Sequence, residues 1–308
     1  MSAHKQSLTY QTASKEGRRR LDVVAALPPL TRYLYWIQER ESIRLARKDK
    51  KAKPWTVDPI LLNFRFCNAR RMDDKVSKWL YNHWYKPYYN HPNMLLAVVL
   101  ARHFNQPDTL SHIGFPSEWD PDEFYQLLLN YKEANPGKSV FNGAYMIRSS
   151  SNSSPHFYPD KSEMVIHETV QQFVDTPPSL DTDCMEESVM IIQCYRNFGP
   201  FMAGQVVADL RHAIDGNWKD RNTWAAIGPG SHRGMNRLHE RPLKQRLKPE
   251  KFVVELRKVM RQAREVLPKS ITTRLEAIDY QNCFCEWDKF ERTLQGESRP
   301  KQKYPGAS

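Results

Sequence analysis

The sequence predicts an all-α protein, and three observations carry that prediction. Apolar residues recur at helical spacing along most of the chain. No stretch alternates apolar and polar residues over the length of a strand. Proline or a capping aspartate opens several of the apolar-periodic stretches. About ten to twelve helices are expected.

Taken in order, residues 1–29 read as a basic flexible arm, polar and rich in arginine. From Leu30 to Arg47 a helical pattern places Leu30, Leu34, Ile37 and Leu45 on an apolar side among many arginines. The charge run from Arg47 to Pro54 reads as a solvated linker. A helix then starts with Asp58 as N-cap and Pro59 at its first position. It is expected to continue through "NFRFCNARR", with Ile60, Phe64, Cys67 and Arg71 on one stripe and Asn68 beside it. A second aromatic helix follows, with Val76, Trp79 and Leu80 inward and several tyrosines exposed. "NMLLAVVLARHF" reads as a compact buried helix, and the stretch after Asp120 buries Phe124, Leu127, Leu128 and Tyr131. The polar loop at 148–162 is the best internal break, so the helical domain, 30–296, is expected to divide there into two lobes. Beyond it lie three further helices and a glycine-rich loop. Next comes a strongly amphipathic helix with Phe252, Leu256, Val259, Met260, Ala263 and Leu267 on one face. A last helix closes the domain before a basic tail, 297–308.

The bulk numbers narrow the function. The chain has 308 residues, 40% hydrophobic and 11% aromatic, enough for a sizeable core. Its net charge of +11 and pI near 9.4 favour a polyanionic partner, nucleic acid or an anionic membrane surface. Five cysteines at irregular spacing fit free thiols in a reducing compartment. Cys283 and Cys285 are separated by one residue and no second pair exists, so no zinc site is expected. The histidines show no metalloprotease spacing. The longest apolar run, Met94 to Ala101, is too short to span a bilayer, and the N-terminus is polar and basic. A soluble, cytoplasmic protein is the expectation, without a metal site.

Three motifs carry candidate chemistry. "NFGPFMAGQVVADL", Asn197 to Leu210, reads as helix, Gly-Pro turn, helix. The backbone N–H groups at Gly199 could bind phosphate, and Ala203 and Gly204 would admit a close backbone. A tight turn fits the same residues. The pattern resembles the helix-hairpin-helix of the DNA glycosylase superfamily, whose hairpin grips a DNA backbone. Where bifunctional glycosylases carry a lysine nucleophile this chain has Phe201, and Asp215 and Asp220 stand roughly where an aspartate would follow. Schiff-base lyase chemistry is therefore not expected. "IGPGSHRGMNRL" offers Gly228, Gly230 and Gly234 as a loop that could curl round an anion, with Arg233 and Arg237 adding charge. It lacks the Gly-Lys-Ser/Thr ending of a Walker loop, and ordinary turn glycines fit it equally. "YQNCFCEWDKFER" places Asn282, Glu286 and Lys289 on one helical face. Glu286 could serve as a general base or hold an ammonium, or could simply pair with Lys289.

Four segments, "PWTVDPILLNFRFCNARRMDD", "FGPFMAGQVVADL", "GPGSHRGMNRL" and "YQNCFCEWDKFERTLQGESRPKQKY", together resemble one family. It is the glycosylase-like α-glutamyl/putrescinyl-thymine pyrophosphorylases, the amino acid:DNA transferases of bacteriophage thymine hypermodification. A related helical domain accompanies 5-hydroxymethyluracil DNA kinases. The resemblance implies a glycosylase-like helical fold and a double-stranded DNA substrate whose hydroxymethyluracil an upstream kinase has pyrophosphorylated. It implies replacement of that pyrophosphate by an amine, an amino acid or a diamine. No redox cofactor is implied, and a magnesium ion on the pyrophosphate is compatible with it. The base would be everted, with Trp79, Trp84 and Trp224 as stacking candidates. On this reading Glu286, Asn68, Arg71 and Asp58 are the catalytic candidates. Arg65, Arg70, Gly228, Gly230, Arg233, Asn282 and Lys289 would hold substrate and phosphate. Gly199, Gly204 and Arg237 would contact DNA. Cations from separate helices are expected to converge on one pocket. A monofunctional DNA glycosylase and a non-catalytic DNA-binding protein are the alternatives.

Overall fold

Proline opens seven of the helices in the computed structural model, which describes residues 12–143 and 156–303. The pyrrolidine ring presets the helical φ at a position whose N–H needs no helical partner. In chain order the first helices are α1 (Lys15–Ala26), α2 (Pro29–Lys48), α3 (Pro59–Asn63) and α4 (Lys75–Trp79). They are followed by α5 (Met94–Phe104), α6 (Pro107–Ile113), α7 (Pro121–Ala134), α8 (Lys161–Met164) and α9 (Gln172–Asp175). The remainder are α10 (Met185–Gln193), α11 (Pro200–Leu210), α12 (Pro229–Leu238), α13 (Pro249–Val266), α14 (Lys269–Thr272) and α15 (Ala277–Leu294). Two π-helical turns, Leu80–Tyr85 and Val165–Val170, extend α4 and α8. Among the described residues no strand forms. One antiparallel bridge joins Phe64 to Lys303.

The chain divides into two units, one of residues 1–74 with 221–308 and one of Lys75–Asp220. The division falls after Asp74 and after Asp220 rather than at 148–162, of which 148–155 lie outside the described residues.

In the first unit α15 is the central element. Fourteen of its 18 residues are buried, on all sides of the helix. Tyr33 of α2 stacks on Phe284 at 4.3 Å and donates its hydroxyl to the Tyr280 carbonyl at 2.9 Å. α12 packs on α15 through glycine: a Cβ on Gly234 would lie 2.5 Å from the Phe284 carbonyl oxygen, and one on Gly230 would lie 2.7 Å from Cys285 Sγ. α13 buries Phe252, Leu256, Val259, Met260 and Ala263, the face read from the sequence. The buried stripe of α2 is Tyr33, Trp36, Ile37, Arg40 and Ile43, whereas Leu45 is exposed.

The expectation of a flexible arm over 1–29 is corrected for the residues described. Ser14 accepts the Gly17 N–H at 3.1 Å as an N-cap, and Leu21 and Val24 of α1 are buried. The apolar residues at helical spacing outweigh the surrounding arginines. Residues 1–11 lie outside the described residues. At the other end the tail is tied down through residue 303, by the Phe64–Lys303 bridge and the Arg65 N–H on the Gln302 carbonyl at 3.0 Å.

The second unit is built round α5, which is buried along almost its whole length as the sequence predicts. Its Arg102 is paired inside the core with Asp209 of α11, which also accepts the Tyr85 hydroxyl. α10 and α11 pack on each other, joined by the turn at 194–199. Asp220 accepts the Met185 and Glu186 N–H groups at 2.8 and 3.0 Å and so caps α10, and Asp215 binds Tyr89 and Asn90. Both aspartates thus have structural partners.

Candidate functional site

The segment "NFRFCNARR" is not a helix past its first residue. α3 ends at Asn63, and residues 64–70 run as an irregular extended stretch before a single 3-10 turn at Arg71–Asp73. The stripe of Ile60, Phe64, Cys67 and Arg71 therefore does not exist. An extended buried segment must find side-chain partners for its backbone, and here they come from far along the chain. Arg40 of α2 donates to the Cys67 and Phe66 carbonyls at 3.1 and 3.2 Å and to Asn68 Oδ1 at 3.0 Å. Glu286 of α15 accepts the Cys67 N–H at 3.0 Å, and Asp279 accepts the Arg71 N–H at 2.8 Å. Asp74 Oδ1 accepts the Asn68 N–H at 2.8 Å and Asn68 Nδ2 at 2.9 Å. Cys283 Sγ reaches the Ala69 carbonyl at 3.4 Å.

The result is a cluster of opposite charges: Arg40, Asp74, Glu286 and Lys289 round Cys67 and Asn68. Lys289 pairs with Glu286 Oε1, and its side chain keeps 41% of its exposure while that of Glu286 keeps 4%. Burial alone would lower the Lys289 pKa. The Glu286 carboxylate outweighs it and raises the ammonium above its ordinary range. Burial pushes the Cys67 thiol well up, and the Glu286 charge adds to it, so this thiol stays protonated. Arg40 is 1% exposed, and its Nη1 has no hydrogen-bond partner among the described residues.

Two carboxyls hold protons above the usual carboxylate range. Burial pushes Asp58 up to about 6, against the Leu61 N–H, the Tyr35 hydroxyl and the Ile60 N–H that favour its charge. Burial pushes Asp74 up to about 7, opposed by the Asn68 N–H and reinforced by Glu286. An unfolded aspartate titrates near ~3.9. The folded chain therefore binds both protons more tightly than the unfolded chain. Stability contributed by these groups is full below about pH 4, is lost as the pH rises through about 6 and about 7, and is level above. Asp74→Asn is expected to flatten that fall. Urea midpoints at about pH 5 and about pH 8 should differ less for the variant than for the wild type, and equal differences would contradict the assignment.

The other sequence-derived candidates fall into three groups. Several are structural. Asp58 is fully buried and caps α3, accepting Ile60 and Leu61 N–H groups at 2.8 and 3.1 Å and the Tyr35 hydroxyl at 2.8 Å. Asn68 spends its amide on Asp73, Asp74 and Arg40. Gly228 donates its N–H to Ser231 Oγ at 2.9 Å, Pro229 has none, and Gly230 is pressed against Cys285. "GPGSHRG" is thus the start of a close-packed helix and not a loop round an anion. Arg233 and Arg237 both bind the fully buried Asp288, at 3.0 and 2.8 Å, and Arg237 also binds Glu297 at 3.1 Å. Their charges neutralise the protein's own carboxylates.

A second group keeps some exposure to solvent. Arg65 is exposed, Arg70 and Asn282 are half-buried, and Lys289 is described above. Arg71 is buried, held by its backbone to Asp279, with its guanidinium close enough to lower the Asp74 pKa. The expected convergence is therefore partial. Arg71, Glu286 and Lys289 belong to one cluster, while Arg233 faces Asp288. Residues two apart on a helix point about 200° apart, so Glu286 and Asp288 lie on opposite sides of α15.

The third group belongs to the second unit. Gly199 is exposed at the N-terminus of α11, with nothing within 4 Å of where a Cβ would stand, and Gly204 is buried in the helix. Two stacking candidates are corrected, Trp84 here and Trp224 in the first unit: both are buried, and Trp84 donates to the Ala97 carbonyl at 2.9 Å, while the half-buried Trp79 packs on His83 and Trp84. Sequence reasoning missed Arg40, Asp74, Asp279 and Asp288. Arg40 alone left a signal, a cation spaced i+4 from Trp36 and i+7 from Tyr33 on the α2 stripe.

Comparison with known proteins adds the family context. A model of the family described as "5-hmdU DNA kinase, helical domain" matches residues 28–299. The 5-hmdU DNA kinase of Bacillus phage SP10 is 27% identical over 230 residues, 68% of this chain and 36% of that relative. The match thus spans about a third of the kinase's length. No solved structure matches. Among the described residues no helix is long and apolar enough to cross a membrane.

Proposed function

Since this chain belongs to the family of the 5-hmdU DNA kinase helical domain, we propose that it works in thymine hypermodification of DNA, as the transferase that follows the kinase. The observation that carries the reading is the family match over 28–299, which links the chain to hydroxymethyluracil in DNA. The sequence carries no Walker loop, so phosphorylation itself is not assigned to these residues. The substrate is 5-(pyrophosphoryloxymethyl)uracil, everted from the duplex and received by a glycosylase-like helical body whose α10–α11 hairpin contacts the DNA backbone at Gly199.

The step breaks the C–O bond between the exocyclic methylene and pyrophosphate and forms a C–N bond to an amine. Pyrophosphate leaves with the electron pair, and the amine loses one proton. Glu286 is the group that receives an ammonium in place of Lys289 and takes its proton. Lys289, displaced, joins Arg65 and Arg70 in meeting the departing charge. Arg40 Nη1 is a donor that the cluster leaves for an acceptor. Arg71 and Asp74 set the charge around Glu286.

One observation favours a second reading, a non-catalytic DNA-binding protein: Asp58, Asn68, Arg233 and Arg237 are all bonded within the protein. A product assay separates the readings. The protein is incubated with DNA containing pyrophosphorylated hydroxymethyluracil and candidate amines, and the DNA is digested to nucleosides for mass measurement. A new aminomethyl nucleoside supports the transferase. Free base with abasic DNA identifies a glycosylase, and DNA binding with neither product identifies the second reading.

A further inference from the structure

The stretch from Lys75 to His91 contains six tryptophans and tyrosines and three lysines, with no aspartate or glutamate. Aromatic rings interleaved with cations are the composition of surfaces that bind unpaired nucleic-acid strands. Trp84 and Tyr85 are in the core and Trp79 and Tyr81 are half-buried, while Tyr88 is 37% exposed and Tyr89 is 49% exposed. Lys86, two positions before Tyr88 in the same 3-10 turn, is exposed as well.

Both tyrosines are held in place. Tyr88 stacks on Phe115 at 3.8 Å with the rings 6° from parallel, and His91 meets the edge of Phe115 at 5.2 Å. Phe115 thus backs one face of the Tyr88 ring. Tyr89 donates its hydroxyl to Asp215 at 2.9 Å. The turn beneath is fixed by Asn90, in the left-handed region at φ 61°, which donates its N–H to the Ala213 carbonyl at 3.0 Å and accepts the Asp215 N–H at 2.7 Å. The two Asp215 oxygens are taken by Tyr89 and Asn90, the one acidic side chain these contacts bring to the patch. A ring already ordered loses little freedom when a base stacks on it.

We propose that Tyr88 and Tyr89, with Lys86 on the same turn, form a stacking platform for unpaired bases of a DNA strand. It rests on DNA being the partner and not on the transferase chemistry. Every base offers a flat face, so the platform tolerates any sequence and its occupant is a single strand or a locally opened duplex. The nearby lysine contributes through phosphate neutralisation, which is salt-dependent.

The test is fluorescence anisotropy of a labelled short thymidine oligonucleotide with the full chain. Tyr88→Ala with Tyr89→Ala is expected to weaken binding by about 10-fold or more, from about 1–3 kcal/mol per stacked base. Tyr88→Phe, which keeps the ring, is expected to stay within about 2-fold of the wild type, because the stacking term needs no hydroxyl. Lys86→Ala is expected to make binding less salt-dependent. Unchanged affinity in the double variant, or loss in Tyr88→Phe equal to that in Tyr88→Ala, overturns the platform. So does a wild type that binds anionic phospholipid vesicles but no oligonucleotide. Aminomethyl nucleoside formation by the wild type is scored separately, so failure of the platform and failure of the transferase reading give different results.

Discussion

Gly234→Ala is expected to lower the melting temperature by about 6–12 °C, from an overpacking cost near ~3 kcal/mol and about 2–4 °C per kcal/mol for a chain unit of this size. The cause is local. The added methyl would stand 2.5 Å from the Phe284 carbonyl oxygen and 3.0 Å from its carbon. Those are backbone atoms of the central helix α15, so no side chain can swing aside. α12 must lift away, and the loss spreads to what it holds: the Arg233 and Arg237 pairs to Asp288, and the Gln281–Ser231 hydrogen bond at 3.0 Å. Gly143→Ala is the control, since nothing lies within 4 Å of its Cβ position. Thermal denaturation of both variants checks the prediction. Equal melting temperatures would mean that α12 and α15 are not packed through glycine.

Glu286→Gln is expected to reduce aminomethyl transfer by about 100-fold or more, the lower range for removing a general base. The amide has nearly the same shape and still accepts the Cys67 N–H, so the extended segment at 64–70 keeps its support. It cannot take a proton, and it no longer holds Lys289 or an incoming ammonium by charge. The deficit should be largest at low pH, where the amine is hardest to deprotonate. The single-turnover pH–rate profile reads this directly, and a profile parallel to that of the wild type removes Glu286 from proton transfer. Melting temperature separates this from damage to the fold.

The helices that bury one face against a neighbour were legible in the sequence. α13 and α5 are the clearest, because a periodic apolar face or a continuous apolar run leaves few other ways to hide that surface. The cap at Asp58 was legible for a local reason: the groups it satisfies are two and three residues away. The segment at 64–70 was not. Ile60, Phe64, Cys67 and Arg71 recur at helical spacing, but the backbone of 64–71 is bonded to Arg40, Glu286 and Asp279, the last two more than 200 positions away. Local pattern cannot report a partner that distant. Gly230 and Gly234 misled for another reason. Glycine serves both a loop that curls round an anion and a helix pressed against its neighbour, and only the position of α15 decides between them. The arginines misled similarly. A cation reads as a phosphate ligand until its carboxylate is found, and Asp288 lies 55 residues from Arg233.

The first unit is thereby organised by electrostatics as much as by apolar burial. Its central helix carries Asp279, Glu286, Asp288 and Glu291 into the core. Each is met by a partner of matching polarity: the Arg71 N–H, Lys289 with the Cys67 N–H, Arg233 with Arg237, and Arg32. Buried carboxylates persist only when so matched. Of the four, Glu286 is the one paired with a flexible, partly exposed lysine. On the proposed transferase reading, that difference makes it the carboxylate assigned to the amine.

The central claim is that this carboxylate serves an amine displacing pyrophosphate from DNA. The most direct measurement is pyrophosphate release from DNA bearing 5-(pyrophosphoryloxymethyl)uracil, followed with and without added amine and matched to nucleoside masses. The account predicts release that requires the amine, one pyrophosphate for each aminomethyl nucleoside, and loss of both in Glu286→Gln. Release that is indifferent to every amine, or free base in place of a modified nucleoside, would contradict it.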